Sequence, residues 1–199
     1  MSRSIDYFFA PTSPWTYLGH ARFVAIARHH GADIVVKPVD TGRVFTASGG
    51  LPLKQRPPQR QAYRLVELAR WSKFLGIPLN LHPAYFPVSG DLASKWILAA
   101  GEIGLDEALA LTGAIGRALW AEQRDIADAA TLADVARSLG IDATALGSRA
   151  GTPEIGSQYD ALTQEAIDRG VFGVPTYVYA GEPFWGQDRL DFLDRALAE

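Results

Sequence analysis

The chain contains no cysteine. That excludes disulfides, thiolate metal ligands and any redox cycle on a protein thiol. It leaves open chemistry on a thiol that a ligand brings in. Long hydrophobic runs are missing too: no stretch approaches the roughly 18–20 apolar residues of a membrane span. The opening MSRSIDYFFAPTSPW lacks the apolar core and small-residue cleavage site of a signal peptide, so a soluble, cytoplasmic protein is expected. The net charge of −3 is too mild to imply nucleic acid as a partner. No two histidines have a metal-ligand spacing such as HxxxH, so no metal is expected. GxSxG, P-loop and GxGxxG signatures are absent, as are repeats and low-complexity tracts.

What is present is ordinary in amount and uneven in placement. The 199 residues, 48% apolar and 21% charged, suffice for one compact unit or for one domain carrying a large insertion. Between Lys54 and Lys73 stand six basic residues and one acid, Glu67. From Ala121 onward there are 14 acids and 6 arginines. The basic run reads either as a solvated helix face or as a local site for small carboxylates.

Ile5–Phe9 is short, apolar and aromatic, and stops at Ala10-Pro11, which predicts a strand. Ser13 then suits a helix N-cap and Pro14 the first helical position. Trp15, Leu18, Arg22, Ala25 and Ile26 recur at helical spacing up to Gly31, and 33–39 is a second strand, completing a β-α-β unit with parallel pairing. Residues 41–58 are rich in Gly and Pro and read as loop. Helical patterns follow over 58–75, 92–103, 107–122, 130–139 and 158–169, with Asp106, Asp128 and Asp142 at expected cap positions. Residues 173–179 and Phe184-Trp185 read as a hairpin, and 189–197 as a last helix with Asp188 as its cap. The plan is β-α-β, a long helical middle, then β-β-α. The expected fold class is α/β, a thioredoxin-like domain (1–40 and 171–199) with a large all-helical insertion (41–170). A ligand pocket is expected in the groove between the two.

Four segments have the residue types for chemistry. The first turn of the helix after Ser13 offers free N–H groups and the positive end of the helix dipole, which favour an anion. Thiol redox proteins of this fold place a nucleophilic Cys there; here a hydroxyl stands in its place, able to donate to a thiolate that arrives with a ligand. The same serine is equally well explained as a cap. Pro175 at the start of a central strand makes sense if the Val174–Pro175 bond is cis and the N–H and C=O of Val174 are free to pair with a peptide-like ligand. Trp185, Gly186, Gln187, Asp188 and Arg189 could receive an ammonium and a carboxylate together, the chemical form of a γ-glutamyl group. Lys54, Arg56 and Arg43 are candidate carboxylate partners, and Arg56, Arg60 and Arg64 share one helical stripe.

Taken in order, Ser13-Pro14-Trp15-Thr16-Tyr17-Leu18, Phe86-Pro87-Val88, Gly173-Val174-Pro175-Thr176 and Phe184 to Arg189 resemble the 2-hydroxychromene-2-carboxylate isomerases, relatives of kappa-class glutathione transferases and of the DsbA branch of thioredoxin-fold proteins. The resemblance covers nearly the whole chain. It implies glutathione as cofactor, a small aromatic carboxylate as substrate, a homodimer, and interconversion of 2-hydroxychromene-2-carboxylate with trans-o-hydroxybenzylidenepyruvate in naphthalene breakdown. It implies that Ser13 holds the glutathione sulfur, that Val174 beside Pro175 pairs with its backbone, and that Trp185 to Asp188 take its γ-glutamyl end, with Arg189 adjacent. The family's glutathione-contacting asparagine has no match in Gly50-Leu51-Pro52-Leu53, so main-chain groups of Leu51 to Leu53 are expected to substitute. Arg43, Lys54 and Tyr85 are the expected substrate contacts. Two alternatives share the fold: a kappa-type glutathione transferase or peroxidase, and a binding protein without catalysis.

Overall fold

The computed structural model describes residues 3–199. Ser4–Phe9 forms strand β1, Pro14–His29 helix α1 and Asp33–Pro38 strand β2. β1 and β2 pair in parallel, from Ser4 opposite Asp33 to Phe9 opposite Pro38, as a β-α-β unit requires. Strands β3 (Thr176–Tyr179) and β4 (Glu182–Trp185) form a hairpin, and β3 lies antiparallel to β1 with Phe8 opposite Thr176. The sheet order is β2-β1-β3-β4. The hairpin turns on Ala180 and Gly181, with φ of 51° and 84°, a two-residue turn whose twist matches the strands it joins.

Between β2 and β3 run α2 (Thr41–Ser48), a 3₁₀ turn (Leu53–Gln55), α3 (Pro58–Leu75), α4 (Asp91–Ile103), α5 (Leu105–Trp120), α6 (Ala129–Ser138), α7 (Ala143–Ala150) and α8 (Pro153–Asp168). A 3₁₀ turn (Gln187–Arg189) and α9 (Leu190–Ala198) close the chain. α2 corrects the reading of 41–58 as loop. The Asp40 carboxylate accepts from the N–H groups of Gly42 (2.7 Å) and Arg43 (3.3 Å), Val44 is buried, and Gly49 ends the helix at φ 75°. The glycines and prolines that suggested loop cluster after Ser48. α7 is likewise a helix the periodicity did not reveal, although Asp142 caps it as expected. Asp128 caps α6. Asp106 caps nothing: it lies in the first turn of α5, whose cap is Gly104, and pairs with Arg28 at 2.6 Å.

α1 also buries a different face from the one expected. Thr16, Leu18, Gly19, His20, Phe23 and Ala27 are inside, whereas Ala25 is exposed. The helix is covered on two sides. Phe23 packs on Tyr7 and Tyr177 of the sheet (4.6 and 4.5 Å between ring centres), and His20 and Tyr17 meet Gly113 and Gly116 of α5. His20 is held at both ring nitrogens: Nε2 lies 2.9 Å from the Leu109 carbonyl and Nδ1 3.3 Å from the Tyr7 hydroxyl. A carbonyl can only accept, so Nε2 donates to it, and Tyr7 donates to Nδ1.

β1 alternates as a strand between two layers should. Ile5, Tyr7 and Phe9 join one continuous core with Ile97, Leu111, Ile115 and Trp120 of the helical segment and Leu190, Leu193 and Leu197 of α9. Phe8 faces a smaller cluster with Val44, Ala166 and Val178. On that second side Lys37, itself buried, pairs with Asp6 (2.9 Å) and Glu165 (2.5 Å), and Arg169 pairs with the same two acids (2.6 and 2.9 Å). Both cations lie over the Phe8 ring.

Candidate functional site

The sheet register assembles the site. Phe8 faces Thr176, so the chain leaving β1 toward Ser13 runs past Pro175 and Val174. Thr176 also faces Trp185, and the Gly186 N–H donates to the Pro175 carbonyl at 2.8 Å. Ser13, Val174, Trp185 and Gly186, which are far apart in sequence, therefore share one end of the sheet.

Ser13 caps α1. Its Oγ accepts from the Thr16 N–H at 3.2 Å. That interaction uses a lone pair and leaves the hydroxyl hydrogen without an acceptor among the described residues. The side chain is nearly buried. The N–H of Trp15, in the same first turn, also has no acceptor among the described residues. An uncommitted hydroxyl and an uncommitted amide thus stand at the positive end of a 16-residue helix.

The Val174–Pro175 bond is cis. Neither the N–H nor the C=O of Val174 has a hydrogen-bond partner among the described residues. Trp185 is half exposed and packs edge-on against Phe172 at 4.7 Å. Its indole lies over Gly173 so closely that a Cβ there would come within 2.5 Å of Nε1. Gly173 is thus required for close approach. The N–H groups of Gln187 and Asp188 are likewise unpaired among the described residues, and the Asp188 carboxylate is exposed, 2.9 Å from Arg189.

Several expectations need correction. Asp188 caps no helix through its side chain; the last 3₁₀ turn starts at Gly186 and α9 at Arg189 without side-chain caps. The Gln187 side chain does not face a ligand. It is 1% exposed, packs on Gly19, and Arg22 donates to both its carbonyl and its side-chain oxygen. Arg43 is taken up in an ion pair with Asp160 of α8 at 2.9 Å and does not line the cavity that Lys54 lines. The Leu51 and Leu53 carbonyls are taken by Arg56, while the N–H groups of Leu51, Leu53 and Lys54 have no acceptor among the described residues.

A cavity of about 570 Å³ opens between the Leu53–Gln55 turn, α3 and the segment Leu81–Pro87. Leu53 and Lys54 line it, as do Arg64, Leu65 and Phe86; Tyr85, exposed beside Phe86, does not. The 78–90 segment is pinned to the first turns of α1 at both ends. Tyr17 donates its hydroxyl to the Pro78 carbonyl at 2.8 Å, and Gly90 lies against Thr12. Tyr17 and Thr12 thus hold the two ends of the segment that forms one wall of the cavity. A second, polar cavity of about 290 Å³ includes Thr12, Asp40, Ser94 and Tyr159. Among the described residues no group of acids and histidines could hold a metal, and no helix is long and apolar enough to cross a membrane.

Residues 4–198 match the DsbA-like thioredoxin domain family. A 2-hydroxychromene-2-carboxylate isomerase of Sphingobium xenophagum is 31% identical over 200 residues, covering 100% of both chains. The chain belongs to the 2-hydroxychromene-2-carboxylate isomerase branch of the DsbA-like thioredoxin family. A solved structure of a 2-hydroxychromene-2-carboxylate isomerase superposes with a TM-score of 0.81 at 30% identity, covering 98% of this chain and 94% of that one. A glutathione S-transferase kappa 2 of Caenorhabditis elegans is 28% identical, with 98% and 92% of the two chains covered. Ser13, Val174 and Trp185, singled out from the sequence, are brought to one end of the sheet by the fold. The partnerless Arg64 was visible in the sequence only as one member of a basic stripe, because nothing in the spacing distinguishes it from Arg60.

Proposed function

We propose that this isomerase-family protein catalyses the glutathione-dependent interconversion of 2-hydroxychromene-2-carboxylate and trans-o-hydroxybenzylidenepyruvate, in the cytoplasm and as a homodimer. The observation that carries the reading is the Ser13 hydroxyl, uncommitted as a donor at the start of α1, beside a Val174 whose main chain is also unpaired. These groups suit glutathione, a short peptide whose central residue carries a thiol. Bound there, glutathione supplies a thiolate whose reversible addition makes the substrate's conjugated double bond single long enough to rotate.

The protein's own groups do the rest. Ser13 donates its hydrogen to the sulfur position, and the Trp15 N–H and the dipole of α1 favour negative charge there. Val174 pairs main chain to main chain, as in strand addition. Pro175 holds Gly186 through its carbonyl, and Trp185, the N–H groups of Gln187 and Asp188, and the Asp188 carboxylate beside Arg189 take the γ-glutamyl end. The Leu53 N–H serves where the family's asparagine is missing. Lys54 stands at the cavity for the substrate. Residues 1–40 with 171–199 bind glutathione in this reading, and 41–170 shape the substrate side.

The test is the absorbance of trans-o-hydroxybenzylidenepyruvate with protein, with and without glutathione. A change that requires both supports the proposal; no glutathione-dependent change defeats it. A second reading, kappa-type conjugation, is favoured by the kappa-class relative. It predicts glutathione conjugation of a generic electrophile such as 1-chloro-2,4-dinitrobenzene with no isomerisation.

A further inference from the structure

Arg64 is an anomaly among the arginines. Its guanidinium carries five N–H donors, yet it makes no hydrogen bond or ion pair among the described residues. Other arginines without a partner, Arg60 and Arg195, are exposed and solvated. Arg22, Arg56 and Arg124, which are half-buried like Arg64, all donate to an oxygen. Arg64 instead lies against a packed pair of aromatic rings, 5.4 Å from the centre of Phe86 and 5.9 Å from that of Trp120, which are themselves 4.9 Å apart. Burial, helped by the nearby charge of Arg56, pushes its pKa down to about 10, so it remains a cation at neutral pH. A charge withdrawn from water without a counter-ion is unfavourable unless something else supplies one.

The surroundings indicate what that is. Arg64 lines the 570 Å³ cavity, whose other walls are mainly apolar: Leu53, Leu65, Leu81, Phe86 and Pro87. No acid is among its lining residues, and Lys54 adds a second positive charge. The complement of such a cavity is a small, flat, apolar molecule with one carboxylate. Tyr17 and Thr12 hold the two ends of the segment that forms one of its walls.

We propose that Arg64 anchors the carboxylate of the aromatic substrate, its guanidinium oriented by the Phe86 and Trp120 rings and unpaired in the free protein for that purpose. The planar guanidinium fork can hold both carboxylate oxygens at once, and the rings pack against one side of it. The identity of the substrate rests on the proposed isomerisation; the carboxylate site itself does not.

Two measurements separate the anchor from the reaction. Calorimetric binding of trans-cinnamate, an unreactive planar carboxylate, is compared with that of neutral cinnamamide for the wild type, R64Q and R64K. Cinnamate should bind in preference to the amide. R64Q should weaken cinnamate by about 10- to 100-fold, the range for a lost charge-assisted hydrogen bond, and R64K should fall between. In the isomerase assay R64Q should raise KM far more than it lowers kcat. Arg64-dependent cinnamate binding without isomerisation supports the anchor while defeating the proposed reaction. Isomerisation with an unchanged KM in R64Q overturns the anchor and leaves the reaction standing. Equal cinnamate binding by R64Q, no cinnamate binding by the wild type, or an R64Q defect confined to glutathione affinity also overturns the anchor. R64K keeps the test valid if R64Q folds poorly.

Discussion

His20 makes the fold sensitive to mild acid, and the size of the effect follows from its surroundings. Its ring is buried between α1 and α5, donates from Nε2 to the Leu109 carbonyl and accepts at Nδ1 from the Tyr7 hydroxyl. Both bonds are satisfied by the neutral ring, and burial pushes the pKa down from 6.5 to about 4. In the unfolded chain the same side chain titrates near its ordinary value. Between pH 6.5 and 4 the unfolded state therefore binds a proton that the native state refuses, so stability falls as pH falls through that window and levels off below it. Each pH unit across the window is worth about 1.4 kcal/mol, so this residue alone removes about 2 kcal/mol by pH 5 and about 3 kcal/mol by pH 4. Urea unfolding at pH 7, 6 and 5 should show that loss in the wild type. His20→Gln should be less stable at pH 7, because it disturbs both hydrogen bonds, but its curve should be flatter from pH 7 to 5 by about 2 kcal/mol. Comparing the two chains cancels every other titrating group. Parallel curves, or an NMR titration of the His20 ring with a midpoint near 6.5, would refute the reasoning.

Three further outcomes can be checked. Ser13→Ala should cost about 1 kcal/mol of stability through the lost cap, yet lower glutathione-dependent turnover by about 10- to 100-fold, the worth of a hydrogen bond to a charged group; turnover like the wild type's would return Ser13 to a capping role alone. Gly173→Ala places a methyl against the Trp185 indole. Because that indole is half exposed and can move, glutathione affinity by equilibrium dialysis should drop while the melting temperature changes little. Lys37→Met strips one of two cations from Asp6 and Glu165. Both acids keep Arg169 and some contact with water, so chemical denaturation should report a loss of about 2 kcal/mol, below the usual 3–5 for a fully buried pair.

The β-α-β start, the hairpin and the cap at Ser13 were legible in the residues because each is a local matter. Alternation sets a strand, Ser-Pro starts a helix, and a proline at the head of β3 restricts what precedes it. The absence of cysteine by itself points to a borrowed thiol. The misses have a common cause. α2 was hidden because its amphipathic signal is one buried residue, Val44, placed before a stretch of glycine and proline. The inward side of α1 was misjudged because sheet and α5 cover it together, which no single-helix periodicity records. Gln187, Arg43 and Arg64 are polar residues of similar promise in sequence. Gln187 is turned inward by Arg22, Arg43 is neutralised by an acid 117 residues away, and Arg64 is left without a counter-ion against a pair of rings. By itself the sequence determined the β-α-β start, the hairpin and the cap at Ser13, and that any reactive sulfur must come from outside. Only the tertiary structure decided which cations remain available, because that depends on neighbours brought together by packing across more than a hundred residues of chain.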